Sequence, residues 1–297
     1  MNLDDFIITC FCLIDEMVPM MTKEQPLRAR GPMPKLCDSE VITMEVVGSY
    51  LGLNQDSALF AYFQRHYTSF FPALAQLSRT TFVRQAANLW VVKERIWCWL
   101  RDAVIPYDPT ISIVDSVPVP VCRFARVPWC VRFRGLASYG KDHVDRQTFY
   151  GFRLHAQISW TGLITRAFLA PANEADGVMA PVLLEGTTGV VLGDRNYCLP
   201  DRQAFLRSKG IALQAPFRKA HSPKAAAYQS SVLGRVRYRI DTVFGQLTDR
   251  CKIKRVWARD LWHVRNYLLR CLLMHSICFW FNQQQEVPPL QFDRLVV

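Results

Sequence analysis

The stretch VVLGDRNY, Val190–Tyr197, decides how this chain is read. Three consecutive apolar residues with no polar alternation describe a strand buried on both faces, and this one runs straight into Gly193-Asp194. A carboxylate just beyond a buried strand costs desolvation free energy unless something compensates it, and a bound divalent cation does so. Upstream, TISIVD, Thr110–Asp115, repeats the arrangement: a short β-rich run that ends on a carboxylate. In α/β sheets, functional groups collect at the carboxyl ends of strands. An Asp also caps turns there, so each carboxylate alone says little.

Working outward, Tyr150–Trp160 alternates completely. Tyr150, Phe152, Leu154, Ala156, Ile158 and Trp160 fall on one face, and Gly151, Arg153, His155, Gln157 and Ser159 on the other, the pattern of a half-buried strand. On that polar face His155 reads as a hydrogen-bonded strand histidine before it reads as a DNA contact. Thr161-Gly162 supplies a turn, and Leu163–Ala170 reads as the hairpin partner. A helix is expected over Glu174–Leu184, another from Pro200 to about Ser208, and a last strand over Ile211–Phe217. Lys219–Ser231 is a polar, Ala-rich loop, followed by helices from near Val232 and over about Leu261–Phe281. Before Pro106 the text is helical, with breaks at Arg28–Pro34, Leu53–Asp56 and Pro72. Asp38 and Thr80 or Thr81 are candidate caps. Arg79 and Arg84 at the latter suit a helix-turn-helix reader of DNA, although most short helix pairs are packing units. The expected organisation is a helical N-terminal module over 1–105, an α/β domain with C-terminal helices over 106–284, and a frayed tail over 285–297.

Charge is segregated along the chain. The whole carries a net +11, yet residues 1–100 hold 9 bases against 10 acids. Between Arg202 and Arg259 there are 14 bases and two acids, Asp241 and Asp249, an excess that points to a polyanionic partner. The ten cysteines follow no regular framework and read as reduced, buried thiols of a cytoplasmic protein; Cys122 and Cys130 fall short of a structural zinc signature. The apolar runs Phe6–Ile14 and Leu268–Phe281 are core helices by length and flanking charge, and imply neither an export signal nor a membrane.

A third carboxylate stands in RYRIDTVFGQL, Arg237–Leu247. At about 100° per residue, Arg237, Asp241, Gly245, Thr248 and Lys252 share a stripe beside the apolar face of Ile240 and Phe244, tucked against the core, while Asp249 lies about 80° round. The competing reading is a surface Arg237–Asp241 ion pair worth about 0.3–0.5 kcal/mol. Three carboxylates from separate elements in a basic region suit the two-Mg²⁺ chemistry of phosphodiesters.

Together, the strand ending in Asp115-Ser116, Gly151–His155, Ala172-Asn173 with Asp176, Gly193–Tyr197 and the helix bearing Arg237 and Asp241 resemble the transposase DDE domain of bacterial insertion sequences. The resemblance covers residues 105–260 and, more loosely, the helical N-terminus. It implies a ribonuclease H-like mixed sheet with flanking helices and an acidic triad at Asp115, Asp194 and Asp241, which are 79 and 47 positions apart. It implies two Mg²⁺ ions, with Mn²⁺ as a substitute, held by those acids, for cutting at element ends and joining the freed 3′-hydroxyl to target DNA. The partners it implies are double-stranded DNA, terminal inverted repeats and a second copy of the chain in a synaptic complex at the nucleoid. Arg153, Arg195, Arg235, Arg237, Lys252, Lys254, Arg255 and Arg259 are the candidate DNA contacts. The chain departs from the family where Asp241 replaces the usual Glu, and where Gly234 and Thr248 stand in place of a frequent Tyr and Lys; Lys252 or Lys254 is the candidate replacement for that Lys. The alternatives are a DNA-binding protein or decayed copy without catalysis, and a ribonuclease H-like nuclease without strand transfer.

Overall fold

Strand β1, Ile111–Pro120, organises the sheet. A computed structural model describes residues 1–24, 27, 33–217, 236, 238–256 and 258–296. Along one edge β1 pairs antiparallel with β3, Gln147–Ser159, from Ser112↔Ser159 to Pro120↔Gly151. Along the other it takes β5, Gly189–Leu192, in parallel through Ile111↔Val190, Ser112↔Val191 and Ile113↔Leu192. Strand β6, Ile211–Gln214, continues in parallel from β5, while β2, Ser138–Asp142, and β4, Ile164–Pro171, both pair antiparallel with β3. The result is a mixed six-stranded sheet.

The expected strand ending at Asp115 is too short: β1 continues five residues further, so Asp115 is mid-strand. Pro118 and Pro120 disguise the continuation, because proline cannot donate to a ladder on both edges. They are tolerated here because β5 pairs only as far as Ile113, leaving that edge of β1 free of a β5 partner. Strand β3 also departs from expectation, being buried on both faces from Phe149 to Ser159 apart from half-buried Arg153. On the polar face the Gln157 amide is satisfied internally: its Nε2 donates to Ser112 Oγ at 2.9 Å, and Thr187 Oγ1 donates to its Oε1 at 3.2 Å.

Helix α6, Asp176–Leu183, and α7, Pro200–Ser208, pack against the sheet. Val114, Val191, Ile211 and Leu213 from strands meet Ala180, Leu183, Leu184, Tyr197 and Leu206 in one apolar cluster. The next helix, α8, runs Tyr238–Asp249 and buries Ile240, Val243 and Leu247 at helical spacing. The loop expected over Lys219–Ser231 lies outside the described residues, as do the Val232 helix start, most of the break at Arg28–Pro34, and Arg235, Arg237 and Trp257.

The chain divides into two compact units, 106–246 with 253–255, and 1–105 with 247–252 and 256–297. Helix α9, Leu261–Gln284, therefore groups with the N-terminal helices rather than with the sheet, as its sequence position had suggested. The latter unit also contains α1, Leu3–Thr22; α2, Asp38–Tyr50; α3, Asp56–His66; α4, Arg79–Asn88; and α5, Trp90–Trp99. The caps lie earlier than expected: Cys37, which forms a capping box with Glu40, by one residue, and Ser78 by two or three. At its centre, fully buried Lys93 of α5 joins Glu45 of α2 and Asn266 of α9. The segment expected to fray is packed instead: Phe292 and Leu295 are buried, and Tyr50 Oη donates to Phe292 O at 2.8 Å. All ten cysteines are free, but only five are buried; Cys12 and Cys37 are exposed. No helix among the described residues is long and apolar enough to cross a membrane.

Candidate active site

The last registered pair between β1 and β5 is Ile113↔Leu192. Asp115 and Asp194 each follow two residues later, so the parallel register brings the two carboxylates to the same level, Asp115 within β1 and Asp194 just past the end of β5. Asp115 Oδ1 accepts from Ser116 N at 2.8 Å. Asp194 caps the single 3-10 turn Arg195–Tyr197, with Oδ1 accepting from Asn196 N at 2.8 Å and Oδ2 from Asn196 Nδ2 at 2.9 Å. The rest of the GDRNY motif is local engineering around that cap. A Cβ at Gly193 would sit 2.9 Å from the Tyr197 ring, so only glycine lets the ring close under the turn. Tyr197 is fully buried, and burial, reinforced by the negative field of Asp176, Asp115 and Asp194, pushes its phenol well above the ordinary range.

One cleft of about 430 Å³ is lined by Asp115 and Asp194 together with Asp241 from α8. The structure thus brings the three sequence-predicted acids to one cavity from three different elements. Asp241 is exposed rather than tucked against the core, because it sits beside the buried Ile240–Val243–Leu247 stripe without belonging to it. Asp249 is also exposed, but it does not line the cleft.

Asp142 and Asp176 line the same cavity, though pattern and spacing single out neither as one of its acids. Asp176, the first residue of α6, accepts from Ser116 Oγ at 2.5 Å, and Arg153 Nη1 donates to that same Ser116 oxygen at 3.2 Å. A side-chain chain thereby runs from Asp176 to the residue next to Asp115. Asp142 accepts from Lys254 Nζ at 2.8 Å and from Val144 N at 3.0 Å. Burial works to raise its pKa, but Lys254 and the turn amides outweigh it and hold the carboxyl below its ordinary value. Only a strand ending in a short Asp-initiated turn, Lys141–Asp145, hinted at this residue. His155 is neither a DNA contact nor a hydrogen-bonded strand histidine. It is fully buried and stacked on Phe168 at 5.2 Å, and neither ring nitrogen has a hydrogen-bond partner among the described residues.

Carboxylate oxygens are the donors hard divalent cations prefer, so the chemistry of the cleft fits such ions. Its acids surround a space rather than converge on a point: among the described residues no three of His, Cys, Asp and Glu are grouped tightly enough to hold an ion as they stand. Of the expected DNA contacts, Arg153 lines the cleft, Arg195 and Arg255 are exposed in the sheet unit, and Lys252 and Arg259 are exposed in the helical unit. Lys254 is committed instead to Asp142 and Asp145, both at 2.8 Å.

A family model, the transposase DDE domain, matches residues 107–261, just over half of the chain, and its span includes every acid that lines the cleft. No curated protein and no solved structure matches.

Proposed function

The chain belongs to the transposase DDE-domain family, and on that premise we propose that it is a DNA transposase that cuts at the ends of a mobile element and joins the freed 3′-hydroxyl to target DNA. The observation that carries the proposal is the gathering of Asp115 from the middle of β1, Asp194 from the turn after β5 and Asp241 from α8 around one cleft. The sheet order, with antiparallel β3–β1 followed by parallel β5 and β6, supports a ribonuclease H-like architecture for the domain. Asp115, Asp194 and Asp241 would hold divalent cations, Mg²⁺ in the first instance and two of them, which supply Lewis-acid stabilisation of the phosphorane-like charge and an activated oxygen nucleophile.

The remaining groups position these acids. Asn196 fixes both oxygens of Asp194, and the Arg153–Ser116–Asp176 bonds fix the backbone beside Asp115. Arg153, inside the cleft, and exposed Arg195 and Arg255 would meet phosphates. Asp241 has a shorter reach than Glu, so its helix must stand closer to Asp115 and Asp194 than a glutamate would require. Joining two element ends calls for two copies of the chain.

The test is a joining assay with purified protein, Mg²⁺, a target plasmid and a donor carrying the terminal repeats that flank the gene. Nicked ends followed by covalent donor–target product are expected. Nicking without joined product would make the chain a nuclease, and neither product would make it a DNA-binding protein without catalysis.

A further inference from the structure

Two of the acids on the wall of the cleft are buried, Asp142 at 7 % exposure and Asp176 at 9 %. A carboxylate that loses its hydration needs a cation or a full set of hydrogen bonds in exchange. Asp142 has both, from Lys254 Nζ at 2.8 Å and from the turn amides of Val144 and Asp145. Asp176 has neither. Its Oδ1 accepts from Ser116 Oγ at 2.5 Å, and Arg153 donates to that Ser116 oxygen rather than to the carboxylate. His155 Nδ1 lies 3.6 Å away, but burial lowers the pKa of the ring to about 4 and leaves it without a charge to offer near neutral pH. The partial charge at the start of α6, an eight-residue helix, offsets only part of the lost hydration. Oδ2 accepts no hydrogen bond among the described residues and is open to the cleft.

The backbone on either side of Asp176 is held in place. Upstream, Asn173 N donates to Ser138 Oγ at 2.9 Å and Ser138 Oγ donates to Asn173 Oδ1 at 2.7 Å, which ties the turn after β4 to β2. Downstream, a Cβ at Gly177 would lie 2.7 Å from Asn196 O and 2.6 Å from Leu199 Cδ1. Glycine therefore lets the start of α6 seat directly on the turn whose Asn196 holds both oxygens of Asp194. The bond to Ser116 ties the carboxylate to the residue beside Asp115. Asp176 is thus anchored to the mounts of both Asp115 and Asp194, with one oxygen restrained and the other open. Carboxylates that ligate metal ions are themselves held by hydrogen bonds in this way.

We propose that Asp176 is a fourth acid of the centre, its Oδ2 a direct ligand of a divalent cation in the cleft. The proposal rests on the reading of Asp115, Asp194 and Asp241 as cation ligands. It is tested on the full-length protein without DNA, by calorimetric titration with Mn²⁺, so that metal affinity is read apart from nicking. Asp176→Asn keeps an oxygen for Ser116 and should weaken Mn²⁺ binding about tenfold or more. Ser116→Ala removes the hydrogen bond but leaves the carboxylate, and should lose clearly less affinity. Parent-like Mn²⁺ affinity in Asp176→Asn would overturn the proposal. An equal or greater loss in Ser116→Ala would overturn it too, since Asp176 would then act only through that hydroxyl. The parent chain gives a second reading that depends on no variant: Fe²⁺ with ascorbate and peroxide should cut the backbone beside Asp176 as well as beside Asp115 and Asp194, and excess Mg²⁺ should suppress all three cuts. Cuts beside Asp115 and Asp194 alone would remove the fourth ligand and leave the triad standing. A parent that binds no Mn²⁺ and shows none of these cuts would overturn the triad reading as well.

Discussion

The His155 ring is fully buried, and neither of its nitrogens has a hydrogen-bond partner among the described residues. Burial, opposed in part by Asp176 at 3.6 Å and aided by Arg153, lowers its pKa to about 4. The unfolded chain takes up this proton near 6.5 and the folded chain only near 4. Stability is therefore complete above the unfolded value and falls as pH drops through that window, by about 3 kcal/mol in all and about 2 kcal/mol by pH 5. His155→Leu should remove that part of the acid sensitivity when urea unfolding is compared at pH 7 and pH 5. An identical pH dependence in the variant would mean that the ring is not held neutral by burial. Asp115 and Asp194 were legible because apolar runs lead up to both. Asp142 was not, and Asp176 was legible only as part of the resemblance and not as an acid of the cleft, since their places there depend on a hairpin turn and a helix start that meet the sheet only in three dimensions.

Elements were legible where period and punctuation agreed. Helix α7 runs over the expected Pro200–Ser208, and β5 falls on its apolar segment, whereas β6 keeps the expected alternation but stops at Gln214, three residues short of Phe217. The failures have physical causes: β1 hides its second half behind two prolines, and β3 hides a buried polar face behind an alternation that normally means solvent. The placement of β5 carries most for function, because it sets Asp194 beside Asp115. At its start Gly189 has φ +83°, and a Cβ there would lie 2.2 Å from the Thr110 carbonyl oxygen. Gly189→Ala combines left-handed strain with a backbone clash and should cost about 2–4 kcal/mol in denaturant unfolding. Because relief of the clash must move β5 against β1, nicking activity should fall more than DNA binding does. A variant as stable as the parent would show that this register is not fixed by Gly189.

For the whole molecule, charge segregation foretold a polyanionic partner, and the family match agrees with that class of protein. The grouping of α9 with the N-terminal helices could not be read from the chain. Its all-round burial marks a core helix but does not say whose core, and the buried Lys93–Glu45–Asn266 junction draws on residues far apart in sequence. The proposed activity requires the three acids of one cleft to act together. The direct measurement is the Mg²⁺-dependent nicking rate of donor DNA by Asp115→Asn, Asp194→Asn and Asp241→Ala, beside Asp241→Glu and the exposed control Asp249→Ala, with DNA binding measured in parallel. Each of the first three should lose at least about 100-fold in rate while still binding DNA, since loss of a metal ligand strikes the chemical step. Asp241→Glu should keep or raise activity, and Asp249→Ala should match the parent, with a stability change of about 0.5 kcal/mol or less. Parent-like nicking by any of the first three, or failure of Asp249→Ala alone, would contradict the triad.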